Sequence, residues 1–175
     1  MALDITLWDI WLHVYLFLPA ALANMAPVLC KRVFPWWDTP LDCGARLFGK
    51  RILGDHKTVR GLVVGLFAAG LVAYLQSQGP LHLLLFDYTN WALIGGLLGI
   101  GALGGDMLKS FVKRQFGVKP GRAWFPYDQI DFALGAIVMI LPVYWAGWTM
   151  TLALLFILVV GHLLFKQIGT VLGIE

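Results

Sequence analysis

Asp106, Asp128 and Asp131 are the residues of this chain best placed to do chemistry. Asp106 closes one long apolar run, and Asp128 and Asp131 open the next. The last two are i, i+3, so one helical turn points both carboxylates the same way. A helix N-terminus favours an acid through its dipole, which would account for one of them. Two adjacent like charges repel, and a shared cation relieves that. Mg²⁺ takes carboxylate oxygens together with substrate phosphates. On a continuing helix, Asp106, Ser110 and Lys113 fall at i, i+4 and i+7 and share a face. Lys109 and Arg114 flank that face. The plainer reading of Asp106 is an i,i+3 or i,i+7 salt bridge that lets a helix emerge from lipid. A third group is the glycine-punctuated run 49–61, with Lys50, Lys57, Thr58 and Arg60 leading into a helix. Free N–H groups at a helix start bind phosphate; lysine adds a mobile point charge and arginine a planar fork. A headgroup-binding patch is the alternative, and it suits Lys31 and Arg32 better. Carboxylates among many cations predict a metal–phosphate site.

The elements that must position these groups are membrane helices. The chain has 175 residues, 59% hydrophobic and 13% charged, with mean hydropathy +0.78. Soluble domains carry about 25% charged residues. A spanning helix needs roughly 20 apolar residues, and five segments qualify: about 10–29, 61–78, 91–108, 132–148 and 149–165. Of the thirteen Lys and Arg, seven lie between Cys30 and Gly61 and five between Leu108 and Trp124, with Lys166 the last. Cations stay on the cytoplasmic side. The prediction is an all-α, polytopic integral membrane protein of about five transmembrane helices, N-terminus outside and C-terminus cytoplasmic. Residues 1–175 form a single transmembrane catalytic domain, with cytoplasmic loops at about 31–60 and 109–130. The first 30 residues carry no Lys or Arg, so the first apolar stretch reads as a retained span rather than a secretory signal. Membrane embedding already explains the net charge of +3, and no nucleic-acid partner is expected.

Smaller features complete the picture. Asn24 sits one turn from the cytoplasmic end of the first span, where it either bonds a neighbouring helix or joins the site. Thr39-Pro40-Leu41-Asp42 reads as a helix start, with a short surface helix through Phe48. Trp36 and Trp37 read as an interfacial anchor. Gly99-Ile-Gly101-Ala-Leu-Gly104 has the letters of a dinucleotide fingerprint but no preceding strand. The pairs Gly95/Gly99 and Gly101/Gly105 have the spacing for close helix packing in lipid. Pro142 predicts a kink in the fourth span. His82 and His162 read as an interfacial and an interhelical residue. Cys30 and Cys43 fit no zinc pattern and read as free thiols.

Together these motifs resemble the CDP-archaeol synthase family and, more distantly, the phosphatidate cytidylyltransferases. The distant signature is Ser-x2-Lys-Arg-x4-Lys-Asp, a Gly-His-Gly-Gly run, then Asp-Arg-x-Asp. Ser110-x2-Lys113-Arg114-x4-Lys119 is similar to its first part and Asp128-Gln129-Ile130-Asp131 to its last. Gly105-Asp106 resembles the Gly-Asp that precedes the serine. Lys57-Thr58-Val59-Arg60-Gly61 resembles Lys-Thr-x-Glu-Gly. Pro120 replaces the Asp, the Gly-His-Gly-Gly run is absent, Gln129 replaces Arg and Arg60 replaces Glu. Those departures, with Ala23-Asn24-Met25-Ala26-Pro27 and Pro40-Leu41-Asp42-x-Gly44, resemble the archaeal branch.

The resemblance implies transfer of CMP from CTP to an isoprenoid glycerol ether lipid phosphate, an unsaturated archaetidic acid, giving CDP-archaeol and pyrophosphate. It implies Asp106, Asp128 and Asp131 as catalytic ligands of one or two Mg²⁺ ions. Lys113, Arg114 and Lys119 would clamp the triphosphate, and Lys57 and Arg60 would face it or the lipid phosphate. Asn24, Lys50, Thr58 and Ser110 would complete the substrate site. The partners implied are CTP, the lipid phosphate and the bilayer, with a homodimer compatible. The competing reading is a non-enzymatic small transporter or anionic-lipid-binding scaffold, which needs neither Mg²⁺ nor the ordered aspartates.

Overall fold

A computed structural model describes residues 6–81, 88–118 and 127–171, without the side chains of 127–129, 162, 165 and 166. His82 and Lys119, and the side chains of Asp128 and His162, therefore lie outside the described residues. Five α-helices follow in order: α1 Leu7–Val33, α2 Val59–Gln78, α3 Trp91–Gln115, α4 Tyr127–Ile140 and α5 Trp148–Val171. Helix α3 is central and packs on α1, α2 and α4; α5 packs on α1 and α4.

The first two helices start on side-chain caps. Thr6 caps α1 in a reciprocal box with Asp9, its Oγ1 accepting from the Asp9 N–H at 3.2 Å, which satisfies two otherwise orphaned donors. Thr58 caps α2, accepting from the Gly61 N–H at 3.1 Å. Pro19 and Pro27 sit inside α1, as spanning helices tolerate when neighbours re-satisfy the backbone.

Among the described residues, three helices are long and apolar enough to cross a membrane: α1, α2, and α3 with the 3₁₀ turn Tyr88–Asn90 before it. The fourth expected span is shorter than its apolar pattern. Helix α4 stops after 14 residues at Ile140, about 21 Å at 1.5 Å per residue. Pro142 ends the helix rather than kinking it, because proline disfavours helical backbone at the residue before it.

Four of the six glycines of α3 are packing surfaces. A Cβ on Gly95 would stand 2.9 Å from the Ala73 Cβ, and one on Gly99 2.8 Å from that of Ala69, both on α2. Gly101 faces α4, where a Cβ would stand 2.7 Å from the Ala136 Cα. A Cβ on Gly105 would run into the carbonyl oxygen of Asp131. One glycine pair therefore seats α3 on α2 and the other seats it on α4. The buried core includes Leu16, Phe17, Ala69, Ile94, Leu98 and Phe132. Phe67, Leu75 and Phe156 point outward, as lipid-facing side chains do.

The surface helix expected after Thr39 does not form. A turn leads instead to a hairpin pairing Arg46 with Arg51 and Leu47 with Lys50. Its two-residue turn, Phe48-Gly49, has both φ positive (49° and 76°), the twist that two-residue hairpins select. Asp42, expected in a first helical turn, organises this loop. Its carboxylate accepts the Arg51 guanidinium at 2.7 Å and the N–H groups of Leu53 at 2.9 Å, Gly54 at 3.1 Å and Gly44 at 3.1 Å. The loop is also strapped to the start of α2: Leu41 N–H donates to the Lys57 carbonyl at 2.7 Å and Val59 N–H to the Thr39 carbonyl at 2.9 Å. Cys30 and Cys43 are free thiols.

Candidate active site

The close approach at Gly105 decides where the acids meet. It brings the Asp131 backbone of α4 against α3 one residue before Asp106. Both carboxylates then engage one ammonium: Lys109 Nζ lies 3.1 Å from Asp106 Oδ1 and 2.5 Å from Asp131 Oδ2. Lys57, from the loop, pairs with the other oxygen of Asp106. The remaining Asp131 oxygen accepts from the Phe132 N–H at 2.8 Å. The result is a chain of alternating charge, Lys57–Asp106–Lys109–Asp131, across three elements. Its members are largely shielded, with Asp131 only 6% exposed.

Beside this chain lies a cavity of about 220 Å³ between the loop and the last turns of α3. Five of its lining residues are cations: Arg51, Lys57, Lys109, Lys113 and Arg114. Ser110 lines it too and donates to the Asp106 carbonyl at 2.9 Å. Arg114 is steadied by the Val118 carbonyl at 2.8 Å, and Gly54, at a φ of +96°, turns the loop beside its side chain. Of the face predicted for Asp106, Ser110 and Lys113, the last two line this recess along with Asp55, and Asp106 stands behind Lys57 and Lys109.

Asp42 fixes one wall. The Arg51 guanidinium first, then the three backbone N–H groups, hold its carboxyl far below the usual carboxylate range against the opposing effect of burial. In return Asp42 raises the Arg51 pKa. Arg51 also reaches Asp55 at 2.9 Å, so its fork is set before any ligand arrives.

The other expected site residues fall as follows. Lys57 and Thr58 lie where α2 begins, the first in the cavity wall and the second as the helix cap. Lys50 donates to the Gln115 carbonyl at 2.5 Å and ties the hairpin to the end of α3. Arg60 is buried and engaged elsewhere, donating to the Phe34 carbonyl and, at 3.3 Å, to Asp38; it is not among the cavity-lining residues. Asn24 is half-buried on α1 beside Ala23, whose carbonyl meets Gly65. Asp128 lies on α4 one turn before Asp131. The sequence marks Lys109 only as a flanking residue; its i,i+3 spacing announces the Asp106 contact but not the one to α4. Arg51 and Asp42 carry only the weak signal of a Pro-Leu-Asp-x-Gly run.

Among the described residues no group of three or more His, Cys, Asp and Glu forms a metal-ion set. Two carboxylates from separate helices nevertheless converge on one ammonium, that of Lys109, and carboxylate oxygens are the donors a hard divalent cation takes.

A family model described as CarS-like, CDP-archaeol synthase, matches residues 5–175. The chain is 40% identical to the CDP-archaeol synthase of Methanospirillum hungatei over 77% of this chain and 83% of that one. It is 37% identical to that of Methanosphaerula palustris, over 90% and 97%. With that of Aeropyrum pernix it shares 38% identity, over 86% and 79%. A solved structure described as an intramembrane enzyme for archaeal membrane lipids biosynthesis superposes with a TM-score of 0.74 at 30% identity, covering 92% of this chain and 94% of that one. A family match over residues 5–175, with relatives 37–40% identical over most of their length, means that this chain belongs to the CDP-archaeol synthase family.

Proposed function

We propose that the basic cavity binds CTP and that the chain transfers its cytidylyl group to an isoprenoid glycerol ether lipid phosphate. The observation that carries this reading is the pairing of Asp106 and Asp131 around one cation, beside a recess walled by five cationic side chains. The chemical difficulty is repulsion between two polyanions, and positioning with charge neutralisation does most of the work in such reactions. Lys57, Lys113 and Arg114, with Lys119, hold the triphosphate; Ser110 and the start of α2 complete its cradle. A phosphate oxygen of the lipid attacks the α-phosphorus. The bond from that phosphorus to the bridging β-oxygen breaks, and pyrophosphate leaves with the electron pair. No general base is required, because the attacking phosphate is already ionised.

Asp106 and Asp131, with Asp128, are the residues that would hold Mg²⁺, which when bound neutralises phosphate charge and supports the leaving group. The cation distribution supports a cytoplasmic site, with the N-terminus outside. The site's charges gather at one end of the bundle rather than midway along it, where a transporter would carry them. The reading uses residues of one copy of the chain; light scattering of the detergent-solubilised protein tests for a homodimer.

The test is incubation of the purified protein with radiolabelled CTP, Mg²⁺ and several lipid phosphates, isoprenoid ether and acyl ester side by side. Label is expected in the lipid fraction, most with the isoprenoid acceptor, and none once Mg²⁺ is chelated. No label in any lipid would overturn the assignment; equal labelling with EDTA would remove the metal from it.

A further inference from the structure

A lysine at the emerging end of a spanning helix ordinarily extends its ammonium into water. Lys109 does not. Its side chain is 16% exposed and turns inward to bridge Asp106 on α3 and Asp131 on α4. Lys57 meets Asp106 from a different element. Buried without a counter-ion, the two carboxylates would repel each other at one of the close approaches of α3 and α4, Gly105. Lys57 and Lys109 together offset the two charges, but only Lys109 touches both carboxylates. A divalent ion would offset both and would use the same oxygens, so it and the Lys109 ammonium compete for one place. Lys109 also lines the cavity, so its ammonium has a second anionic destination once a triphosphate is present.

We propose that Lys109 is the resident counter-ion of the carboxylate pair: it holds α3 and α4 together at Asp106 and Asp131 while no metal is bound, and gives up that place to Mg²⁺ as its ammonium swings into the cavity. The inference rests on the metal reading above. It makes Lys109 a positioning residue with two measurable consequences besides turnover. It weakens divalent-ion binding in the free protein, and it stabilises the metal-free fold.

The experiment measures Mn²⁺ binding by electron paramagnetic resonance, and melting with and without Mg²⁺, on the full chain in detergent. Lys109→Met keeps the stem and removes the charge. It should bind Mn²⁺ about ten-fold tighter or more than wild type, since a competing charge is gone. It should also melt lower than wild type in EDTA and gain more from Mg²⁺. Lys109→Arg, which keeps the charge, should bind Mn²⁺ as wild type does. A Lys109→Met protein that folds only when Mg²⁺ is supplied would also support the proposal. Mn²⁺ affinity that is unchanged or weaker in Lys109→Met, or raised equally in Lys109→Arg, would overturn it. Asp106→Asn separates the two layers. If it abolishes Mn²⁺ binding while Lys109→Met changes nothing, only the role of Lys109 falls. If Mn²⁺ binding survives in Asp106→Asn, the metal reading falls as well.

Discussion

The two ends of the helix bundle treat buried polarity in opposite ways. Where α1 begins and α2 ends, the polar contacts described are between neutral groups. His13 is held between the Asp9 carbonyl at 2.7 Å and the Tyr144 hydroxyl at 2.5 Å, and Gln76 donates to the Tyr15 carbonyl. Where α3 ends and α4 begins, the polar groups are ions in a continuous chain that opens onto a cavity. Paired dipoles cost little to bury and dock one helix on another. An array of buried ions is costly to hold in a low dielectric even when its charges balance. On the function proposed above, the first end serves assembly and the second chemistry.

The sharpest way to break this comparison is to neutralise one acid at the second end. Asp131→Asn keeps the shape of the side chain and removes a charge from the pair. It should lower CTP-to-lipid transfer by on the order of 10³-fold, or about 4 kcal/mol of barrier, with helix content and detergent elution unchanged. Asp128→Asn should likewise abolish transfer. Transfer near the wild-type rate in either variant removes that carboxylate from the mechanism.

Neighbouring glycines test whether packing places the acids. Gly105→Ala drives a methyl group into the Asp131 carbonyl, and the relief is separation of α3 from α4. It should cost about 1–3 kcal/mol of stability and impair transfer as well. A methyl group on Gly104 would meet nothing within 4 Å. Gly104→Ala should be neutral, or stabilising by up to about 1 kcal/mol through helix propensity. Equal melting temperatures for the two variants would mean that the α3–α4 contact does not fix the site.

How much of this is legible in the sequence follows the range of the interactions. The five helices and the packing role of the α3 glycines are local patterns, and both can be read from spacing. Asp106, Ser110 and Lys113 are legible as one face because they share a helix. The loop is not legible. Thr39-Pro40-Leu41-Asp42 satisfies the rules for a helix start, and only Arg51, Leu53 and Gly54, well downstream, turn Asp42 into the anchor of a hairpin. The apolar run through Pro142 hides the end of α4, since hydropathy is blind to the backbone restriction that proline places on the residue before it. Arg60 looks like a phosphate ligand from its motif, but carbonyl and carboxylate partners on residues 34–38 lie beyond any local pattern. Lys109 is half legible: its near partner is one turn away and its far partner is on another helix.

At the first end, Tyr144→Phe should have a modest effect. The His13 Nδ1 faces a carbonyl, so Nδ1 carries the proton and Nε2 accepts from the Tyr144 hydroxyl. Removing that hydroxyl leaves Nε2 without its donor and should lower stability by roughly 1 kcal/mol. Transfer per folded molecule should not change. A loss of specific activity beyond the loss of folded protein would join the two ends functionally and dissolve the contrast between them.

The smallest effect at neutral pH, and the most specific to the second end, belongs to the titration of Asp42. Its carboxyl is held far below the ordinary value by Arg51 and the loop N–H groups. A carboxylate depressed in the folded state contributes stability that is fully present above its unfolded pKa, near 4, and is lost as pH falls through the folded value. Melting temperature should therefore show no contribution from Asp42 titration between about pH 5 and 8. Below about pH 4 the wild type should lose stability faster than Asp42→Asn, which has no carboxyl to protonate there. The variant starts lower at pH 7, because the amide cannot reproduce the fork to Arg51, and the two curves should converge in acid. Parallel curves would mean that the Asp42–Arg51 pair does not hold the loop, and that the cavity wall owes its shape to the strap between residues 39–41 and the start of α2.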